Sequence, residues 1–461
     1  MQNKKKYQMD MCHGALAGQI FRYSLPVIGA NIMALMFHAA DLIVLGQFAP
    51  AEIKTAATAS VGASAALNVM LLVFFNGFGA GVNAITARYV GAKDDQKVTR
   101  IVHTSIACGI VCGLIVAALG VFFAPTALRI MGTPEDVIGK AAIYLRICSI
   151  GLPFTVLYVI GAAILRAVGD TRRPLYFIIT AGIVNVLLNL FFVIVCRMDS
   201  AGVALATKIS NVLSALLVLQ ALCRFDGPIR LYFRKIRFHW QSLKEVLWIG
   251  IPAGIQGSLY NISNLFIQSS VNSLGSFAMA GYASAQSMEG MANVASAAYY
   301  QSAMSFTGQN LGGKKFKRVI RSILICLGYA VGLSLVFCVF FHCFGKSLLG
   351  LYNPDPVVIG YGMERMRVMV SAYFLCGIAD TITGALRGLG HSVKPTITTI
   401  LGVCGIRIFW VLIIFPHYRS LRCLAFSYPV SWALTGLVNG MILFFVCRKM
   451  LRLARERKHL K

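Results

Sequence analysis

Charged residues are scarce in this chain: only 13% of its 461 residues are charged, and 57% are hydrophobic. A soluble protein carries about 25% charged residues, so the shortage excludes an ordinary water-soluble domain. Apolar runs recur that reach about 20 residues, the length that a helix needs to cross a bilayer core. The sequence therefore predicts an all-α integral membrane protein.

Acidic residues are scarcer than basic ones, with 16 Asp and Glu against 43 Lys and Arg, and the net charge is +27. In a soluble protein such a charge suggests nucleic-acid binding. Here Lys and Arg gather in short segments between alternate pairs of apolar runs, as the positive-inside rule describes. We therefore expect no nucleic-acid partner, a multi-pass protein of the cell membrane, and both termini in the cytoplasm. The basic N-terminus has no small-residue cleavage site after a short apolar core, so we expect no removable signal peptide.

Motifs for metal or nucleotide chemistry are also missing from the sequence. The 13 Cys form no CxxC motif and no Cys/His cluster with metal-ligand spacing, so we interpret them as packing residues. The glycine-rich stretch GFGAGVN at 77–83 lies inside an apolar run and precedes no Walker lysine. We expect no metal cofactor and no use of ATP. The dispersed His residues argue against a membrane enzyme.

The apolar runs predict twelve membrane spans, arranged as six and six. The spans are 18–46, 57–87, 101–125, 141–166, 174–196, 201–223, 246–271, 277–306, 319–344, 361–386, 395–415 and 423–447. We predict an N-terminal six-helix lobe at 1–223, a C-terminal six-helix lobe at 246–447, and a basic cytoplasmic tail at 448–461. The basic segment 224–245 between the lobes is predicted to be a cytoplasmic surface linker that lies on anionic headgroups.

The two halves are repeats of each other. The segment LRAVGDTRRP at 165–174 aligns with LRGLGHSVKP at 386–395, and YVGAK at 89–93 aligns with NLGGK at 310–314, both at an offset of 221 residues. Because six spans separate the copies, both halves have the same orientation, which predicts a parallel repeat with a pseudo-twofold axis along the membrane normal. Internal repeats of this kind are typical of secondary transporters.

Several segments resemble the multidrug and toxic compound extrusion (MATE) family of transporters. They include SLPVIGANIMALMFHAADLIVLGQF in the first span, LRAVGDTRRP after the fourth, GVALATKIS in the sixth, and MSFTGQNLGGKK and GALRGLGHSVKP in the second half. The resemblance implies a V-shaped pair of lobes that exports cationic or amphipathic organic compounds in exchange for H⁺ or Na⁺. It implies no cofactor beyond the coupling ion. The expected partners are membrane lipid and a small organic substrate, and we expect a monomer.

Four polar residues of the first half lie at similar depths in their spans: Asp41, Asn185, Asn189 and Thr207. A carboxylate inside a membrane span costs about 2–3 kcal/mol unless it faces water, is paired, or binds a proton. Because Asn185 and Asn189 are four residues apart, they share one helix face. We predict that the four residues line one pocket for cation or proton coupling, as the resemblance implies for Asp41. Many family members carry a second acid at the position of Asn189, and an amide there cannot titrate, so the choice between H⁺ and Na⁺ stays open. The alternative role for Asp41 is to hold neighbouring helices together by hydrogen bonds.

The second half carries a different set of polar residues. Asp380 in the tenth span is predicted either to bind a cation or to form an ion pair with Arg407. Glu289, with Gln286 and Gln256, is predicted either to face a central cleft and attract a cationic substrate or to be paired structurally. The sequence does not decide between the two alternatives for either Asp380 or Glu289.

Pro26 and Pro252 occupy matching places in the repeats, in the first and seventh spans. Proline is tolerated in membrane helices because neighbouring groups satisfy the freed carbonyl. We predict that both prolines are hinges for transport, with a static kink as the alternative.

A flippase for a lipid-linked saccharide is the competing function, because the wider superfamily shares this topology. Such a protein needs a more cationic lumen to hold phosphates, and it often has two further spans. The sequence does not identify the substrate.

Overall fold

The computed structural model describes residues 8–48, 51–130, 133, 135–198 and 200–459. Within these residues the chain is helical and has no strand. The helices are α1 (Leu16–Phe48), α2 (Ala51–Gly91), α3 (Asp95–Ile130), α4 (Glu135–Ile150), α5 (Leu152–Ala167), α6 (Arg172–Leu190), α7 (Ser200–Cys223), α8 (Trp240–Asn272), α9 (Ser276–Gly312), α10 (Phe316–Tyr352), α11 (Pro356–Gly388), α12 (Val393–Thr399), α13 (Ile406–Phe409) and α14 (Leu421–His459). A π-helical turn, Phe191–Val195, extends α6, and two others, Ile400–Gly405 and Trp410–Ile414, flank α13.

Each predicted span lies on one of these helices or on a run of consecutive ones. The fourth span is the pair α4 and α5, bent by 42° at the break between them, and the eleventh is the run from α12 to Ile414. By length and composition, nine of the described helices are apolar enough to cross a membrane, or ten if the bent pair is one span. Helices α8 and α9 fall outside this set because Ser, Asn and Gln interrupt their apolar residues. The all-α membrane fold class is confirmed.

Contacts between Cα atoms divide the chain into two compact units. The first contains Gly29–Thr86 and Asp94–Leu247, and the second contains Asp10–Ile28, Ala87–Lys93 and Trp248–Lys461. The first part of α1 and the end of α2 therefore pack with the helices of the second unit. The lobe boundaries drawn from the sequence stay predictions.

The backbone repeats its geometry at the offset seen in the sequence. Gly169 follows α5 with φ 88°, and Gly390 follows α11 with φ 89°. Lys93 follows α2 with φ 57°, and Lys314 follows α9 with φ 58°. Each pair lies 221 residues apart and ends a helix in the left-handed conformation that helix C-termini often adopt. The repeat therefore extends from sequence to local structure.

Ionisable side chains in the repeated loops have diverged. Asp170 is fully buried, accepts a hydrogen bond from the Arg173 backbone N–H at 3.1 Å, and lies 3.2 Å from Arg173 Nε. Burial raises the pKa of Asp170 to about 6, and Arg173 opposes the rise. His391 occupies the equivalent position, and its pKa is lowered by burial and then by the charge of Lys394.

The segment between α7 and α8 packs against the start of α3. Thr99 Oγ1 donates to Pro228 O at 2.9 Å, and Tyr232 N donates to His103 Nε2 at 3.1 Å. His103 Nδ1 lies 2.7 Å from Thr99 O, so the imidazole is neutral with its proton on Nδ1. The Tyr232 ring stacks on His103 with a centroid distance of 6.4 Å. The linker is therefore fixed to α3 as well as exposed on its basic face.

The substitution His103→Ala is expected to release the linker, because the Tyr232 N–H loses its acceptor. Tyr232 is exposed, so loss of this hydrogen bond costs about 0.5–1.5 kcal/mol, and amide exchange in 228–240 should become about two- to tenfold faster. Hydrogen exchange followed by mass spectrometry measures this change. His417→Ala is the control because His417 lies outside the linker and contacts Ile413 O, four residues before it. Unchanged protection in His103→Ala would show that the linker does not depend on this bond.

Candidate functional site

The four polar residues predicted in the first half come together in the structure. Asn189 Nδ2 donates to Asp41 Oδ1 at 2.5 Å, and Thr207 Oγ1 lies 3.3 Å from Asp41 Oδ2. Asn185 Nδ2 donates to Thr207 Oγ1 at 3.3 Å, and Asn189 Nδ2 lies 3.3 Å from Asn185 Oδ1. Asp41 is half-buried in α1, and Asn185 and Asn189 are buried in α6. We call these four residues the Asp41 cluster.

The Asp41 cluster can satisfy both protonation states of its carboxyl group. Thr207 Oγ1 lies 2.9 Å from Val203 O as well as 3.3 Å from Asp41 Oδ2, and the hydroxyl has one proton to donate. When Asp41 is ionised, Thr207 can donate to it. When Asp41 is protonated, it can donate to Thr207, and Thr207 then donates to Val203 O. No backbone movement is needed for this exchange.

An uncommitted acceptor lies beside the carboxylate. Asn189 is fully buried, and its Oδ1 has no hydrogen-bond partner among the described residues. Buried polar atoms are almost always satisfied in native proteins, so this oxygen marks a place where a proton donor, a water or a cation belongs. The oxygens of Asp41, Asn185 and Thr207 in the same cluster are hard ligands, which suit H⁺ or a hard cation.

A glycine allows α1 and α6 to approach each other at the cluster. A Cβ built on Gly182 would overlap the ring of Phe37. Phe37 lies one turn before Asp41 in α1, and Gly182 lies one turn before Asn185 in α6. Small residues permit such close helix packing in membranes. Sequence reasoning missed Gly182, although its place three residues before a polar Asn in an apolar helix is a usable signal.

The substitution Gly182→Ala is expected to separate α1 from α6 and to lower transport, because the Phe37 ring must move. Overpacking of this kind costs about 1–3 kcal/mol, which a thermal melt in detergent measures alongside transport. Gly332→Ala is the matched control, because a Cβ at Gly332 meets no atom within 4 Å. Adding Phe37→Leu should restore part of both quantities. Wild-type transport in Gly182→Ala would contradict the proposed role of this contact.

Glu289 forms a buried ion pair in the second unit. Arg365 Nε donates to Glu289 Oε1 at 3.0 Å, and Arg365 Nη2 donates to Oε2 at 2.7 Å. Both residues are 2% exposed, and the guanidinium lies 4.0 Å from the centroid of the Tyr282 ring. The bidentate pair cancels the charge of Glu289. The structure thus shows the structural pairing that the sequence left as one of two alternatives.

Asp380 does not pair with Arg407, so that alternative is wrong. Asp380 Oδ2 accepts from Ser296 Oγ at 2.7 Å and lies 3.7 Å from Cys376 Sγ. Arg407 is fully buried and donates from Nη1 to Asn264 Oδ1 at 2.9 Å. Among the described residues Asp380 has no ion pair within 4.0 Å, because Arg407 is directed to other groups. A carboxyl group held by a hydroxyl can take up a proton or a cation.

The remaining predicted residues do not join Glu289 in one site. Gln256 Oε1 accepts from Arg387 Nη2 at 2.9 Å, and Gln286 is exposed on α9. Gln256 is therefore used to hold an arginine that also donates to the Tyr300 hydroxyl. Pro26 and Pro252 lie inside the continuous helices α1 and α8. Their role as hinges stays a prediction.

Removal of one member of the Glu289 pair is expected to destabilise the protein more than removal of both. Arg365→Met leaves a buried carboxylate without its partner, which costs about 3–5 kcal/mol. The double variant Glu289→Gln/Arg365→Met should recover much of the melting temperature and keep transport. A stable double variant that has lost transport would instead assign Glu289 or Arg365 to the substrate.

These features define a class of protein. An internally duplicated set of membrane helices, one half of which holds a carboxylate with polar partners inside its spans, is the architecture of a secondary transporter rather than an enzyme. The sequence matches the family model described as MatE over residues 26–191 and 252–413. The chain belongs to the MatE family, the multidrug and toxic compound extrusion transporters, and it is a multi-pass membrane transporter.

Individual relatives agree over nearly the whole chain. The sequence is 26% identical over 442 residues to the "Probable multidrug resistance protein YoeA" of Bacillus subtilis (strain 168), covering 93% of each chain. It is 22% identical to the "Multidrug export protein MepA" of Staphylococcus saprophyticus, again covering 93% of each chain. The fold matches a structure described as the outward-facing conformation of a multidrug resistance MATE family transporter, with a TM-score of 0.89, 20% identity, and coverage of 98% of this chain and 99% of the other.

Proposed function

We propose that the protein is a secondary-active antiporter that exports cationic or amphipathic organic compounds in exchange for H⁺ or Na⁺. The observation that carries the proposal is the Asp41 carboxylate in a membrane helix, held by Asn189 at 2.5 Å and Thr207 at 3.3 Å. The similarity to the multidrug resistance protein YoeA and the multidrug export protein MepA supports the substrate class.

Exchange follows from the chemistry of one carboxyl group. A protonated Asp41 is neutral and cannot balance a cation, whereas an ionised Asp41 gives the cluster one negative charge. Binding of a proton or Na⁺ therefore opposes binding of an organic cation that depends on the same charge, and this opposition is reciprocal. Asp380 in the second unit is a second candidate for cation or proton binding.

The present orientation of Asn189 supports H⁺ as the coupling ion. Its amide presents Nδ2 to the carboxylate, which matches an Asp41 that alternates between ionised and protonated forms. Coordination of Na⁺ by the same group requires Oδ1 to face the ion instead. We further propose that the protein works as a monomer in the cell membrane, with both termini in the cytoplasm, lipid around it, no ATP, and the ion as its only cofactor.

The substitution Asp41→Asn is expected to reduce efflux to background, because a side-chain amide does not gain or lose a charge by titration near neutral pH. Dye or drug efflux in cells that lack other pumps measures this loss. Glu456→Gln removes an exposed acid that pairs with Arg452 at 3.0 Å, and it should leave efflux unchanged. Efflux at the wild-type rate in Asp41→Asn would remove the coupling role.

The same efflux assay identifies the coupling ion when the proton gradient and the Na⁺ gradient are collapsed separately. Proton coupling predicts that a protonophore stops efflux while a Na⁺ ionophore does not. Na⁺ coupling predicts the reverse. If the wild type moves no organic cation and a lipid-linked saccharide accumulates in its absence, the export proposal is wrong.

A further inference from the structure

A short segment before α1 is held against the start of α10. Arg318 donates from Nε to Met11 O at 3.0 Å, from Nη1 to Gly14 O at 2.8 Å, and from Nη2 to His13 O at 3.0 Å. Lys315 Nζ donates to Cys12 O at 3.0 Å. Two cations are thus fixed in place by neutral carbonyl groups, which leave their charges uncompensated.

A pocket of about 480 Å³ lies beside this contact, within the second unit. The residues that line it are Cys12, His13, Gly14, Leu16, Lys315, Lys317, Arg318 and Arg321. Four of the eight are basic, and none is acidic. In the part of the chain that the structure describes, none of the four cations belongs to an ion pair. Asp10, the acid nearest in sequence, is paired with His13 at 2.7 Å.

Four unpaired positive charges around one concave site call for an anion. The pocket also lies at the N-terminus of α10, where the helix dipole favours negative charge. Arg and Lys bind a phosphate group through several charge-assisted hydrogen bonds at once. A basic pocket beside membrane helices is, in addition, a typical site for an anionic lipid headgroup.

Apolar side chains continue from the pocket along the same two helices. Phe21 in α1 is 47% exposed and packs on Tyr329 of α10 at a centroid distance of 6.1 Å. Leu25 is 50% exposed and Leu324 is 61% exposed. These residues lie one to three turns further along their helices from the pocket. A ligand with a phosphate and acyl chains fits both parts, whereas a soluble phosphate fits only the first.

We infer that this pocket binds the phosphate group of an anionic phospholipid, with the acyl chains on the exposed apolar surface of α1 and α10. The lipid contacts residues 12–14 and α10 at once. It therefore strengthens the attachment of the start of α1 to α10 within the second unit.

The test uses the full-length protein in detergent, titrated with phosphatidylglycerol, phosphatidylcholine or inorganic phosphate. Native mass spectrometry measures bound lipid, and a thermal melt measures stabilisation. Lys317→Gln/Arg321→Gln removes two exposed pocket charges and should weaken phosphatidylglycerol binding roughly 30-fold. Arg448→Gln/Lys449→Gln is the matched control, since it removes two exposed charges of α14 outside the pocket. The control should change phosphatidylglycerol binding less than twofold. Without lipid, both double variants should keep the melting temperature of the wild type.

Three results would overturn the inference. Equal weakening in both double variants would show a general effect of surface charge. Equal binding of phosphatidylglycerol and phosphatidylcholine would remove the requirement for an anionic headgroup. Stabilisation by inorganic phosphate that matches phosphatidylglycerol would assign the pocket to a soluble phosphate instead of a lipid.

Discussion

The hydrogen bonds of Asp41 with Asn189 and Thr207 constrain how α1, α6 and α7 pack in the first unit. A carboxylate in a membrane helix is tolerated only where polar partners or water surround it, and α6 and α7 supply those partners. The contact requires α1 and α6 to be close, which Gly182 permits by leaving room for the Phe37 ring. The Asp41 carboxylate therefore accounts for the polar residues Asn185, Asn189 and Thr207 inside apolar helices, and for the small residue Gly182 where α1 and α6 meet.

The second unit handles its charges in a different way. Glu289 is neutralised by Arg365 in a buried bidentate pair, and Arg407 is held by Asn264 without a carboxylate partner among the described residues. Within the described residues the Asp380 carboxylate is contacted by the Ser296 hydroxyl and the Cys376 thiol and forms no ion pair. The two repeats thus share backbone geometry at their helix ends but differ in the charged residues inside their helices.

Much of the fold was predictable because a bilayer restricts the alternatives. A chain that crosses a bilayer must satisfy its backbone groups internally, so long apolar runs become helices. Runs such as 319–344 and 423–447 were placed correctly on α10 and α14. The bend between α4 and α5 was not predicted, although Gly151 and Pro153, two residue types that commonly interrupt helices, lie at the break.

The candidate site divides in the same way between sequence and tertiary structure. Asp41, Asn185, Asn189 and Thr207 were found from depth and helical spacing alone, because polar side chains in apolar helices are conspicuous. The partners of Glu289 and Asp380 could not be found in this way, because a partner such as Arg365 lies 76 residues away from Glu289 in the chain. The sequence by itself determined which residues enter the membrane and which of them carry charge. Only the tertiary structure decided which charges are cancelled and which stay available, because pairing depends on distances between helices that hydrophobic periodicity does not encode.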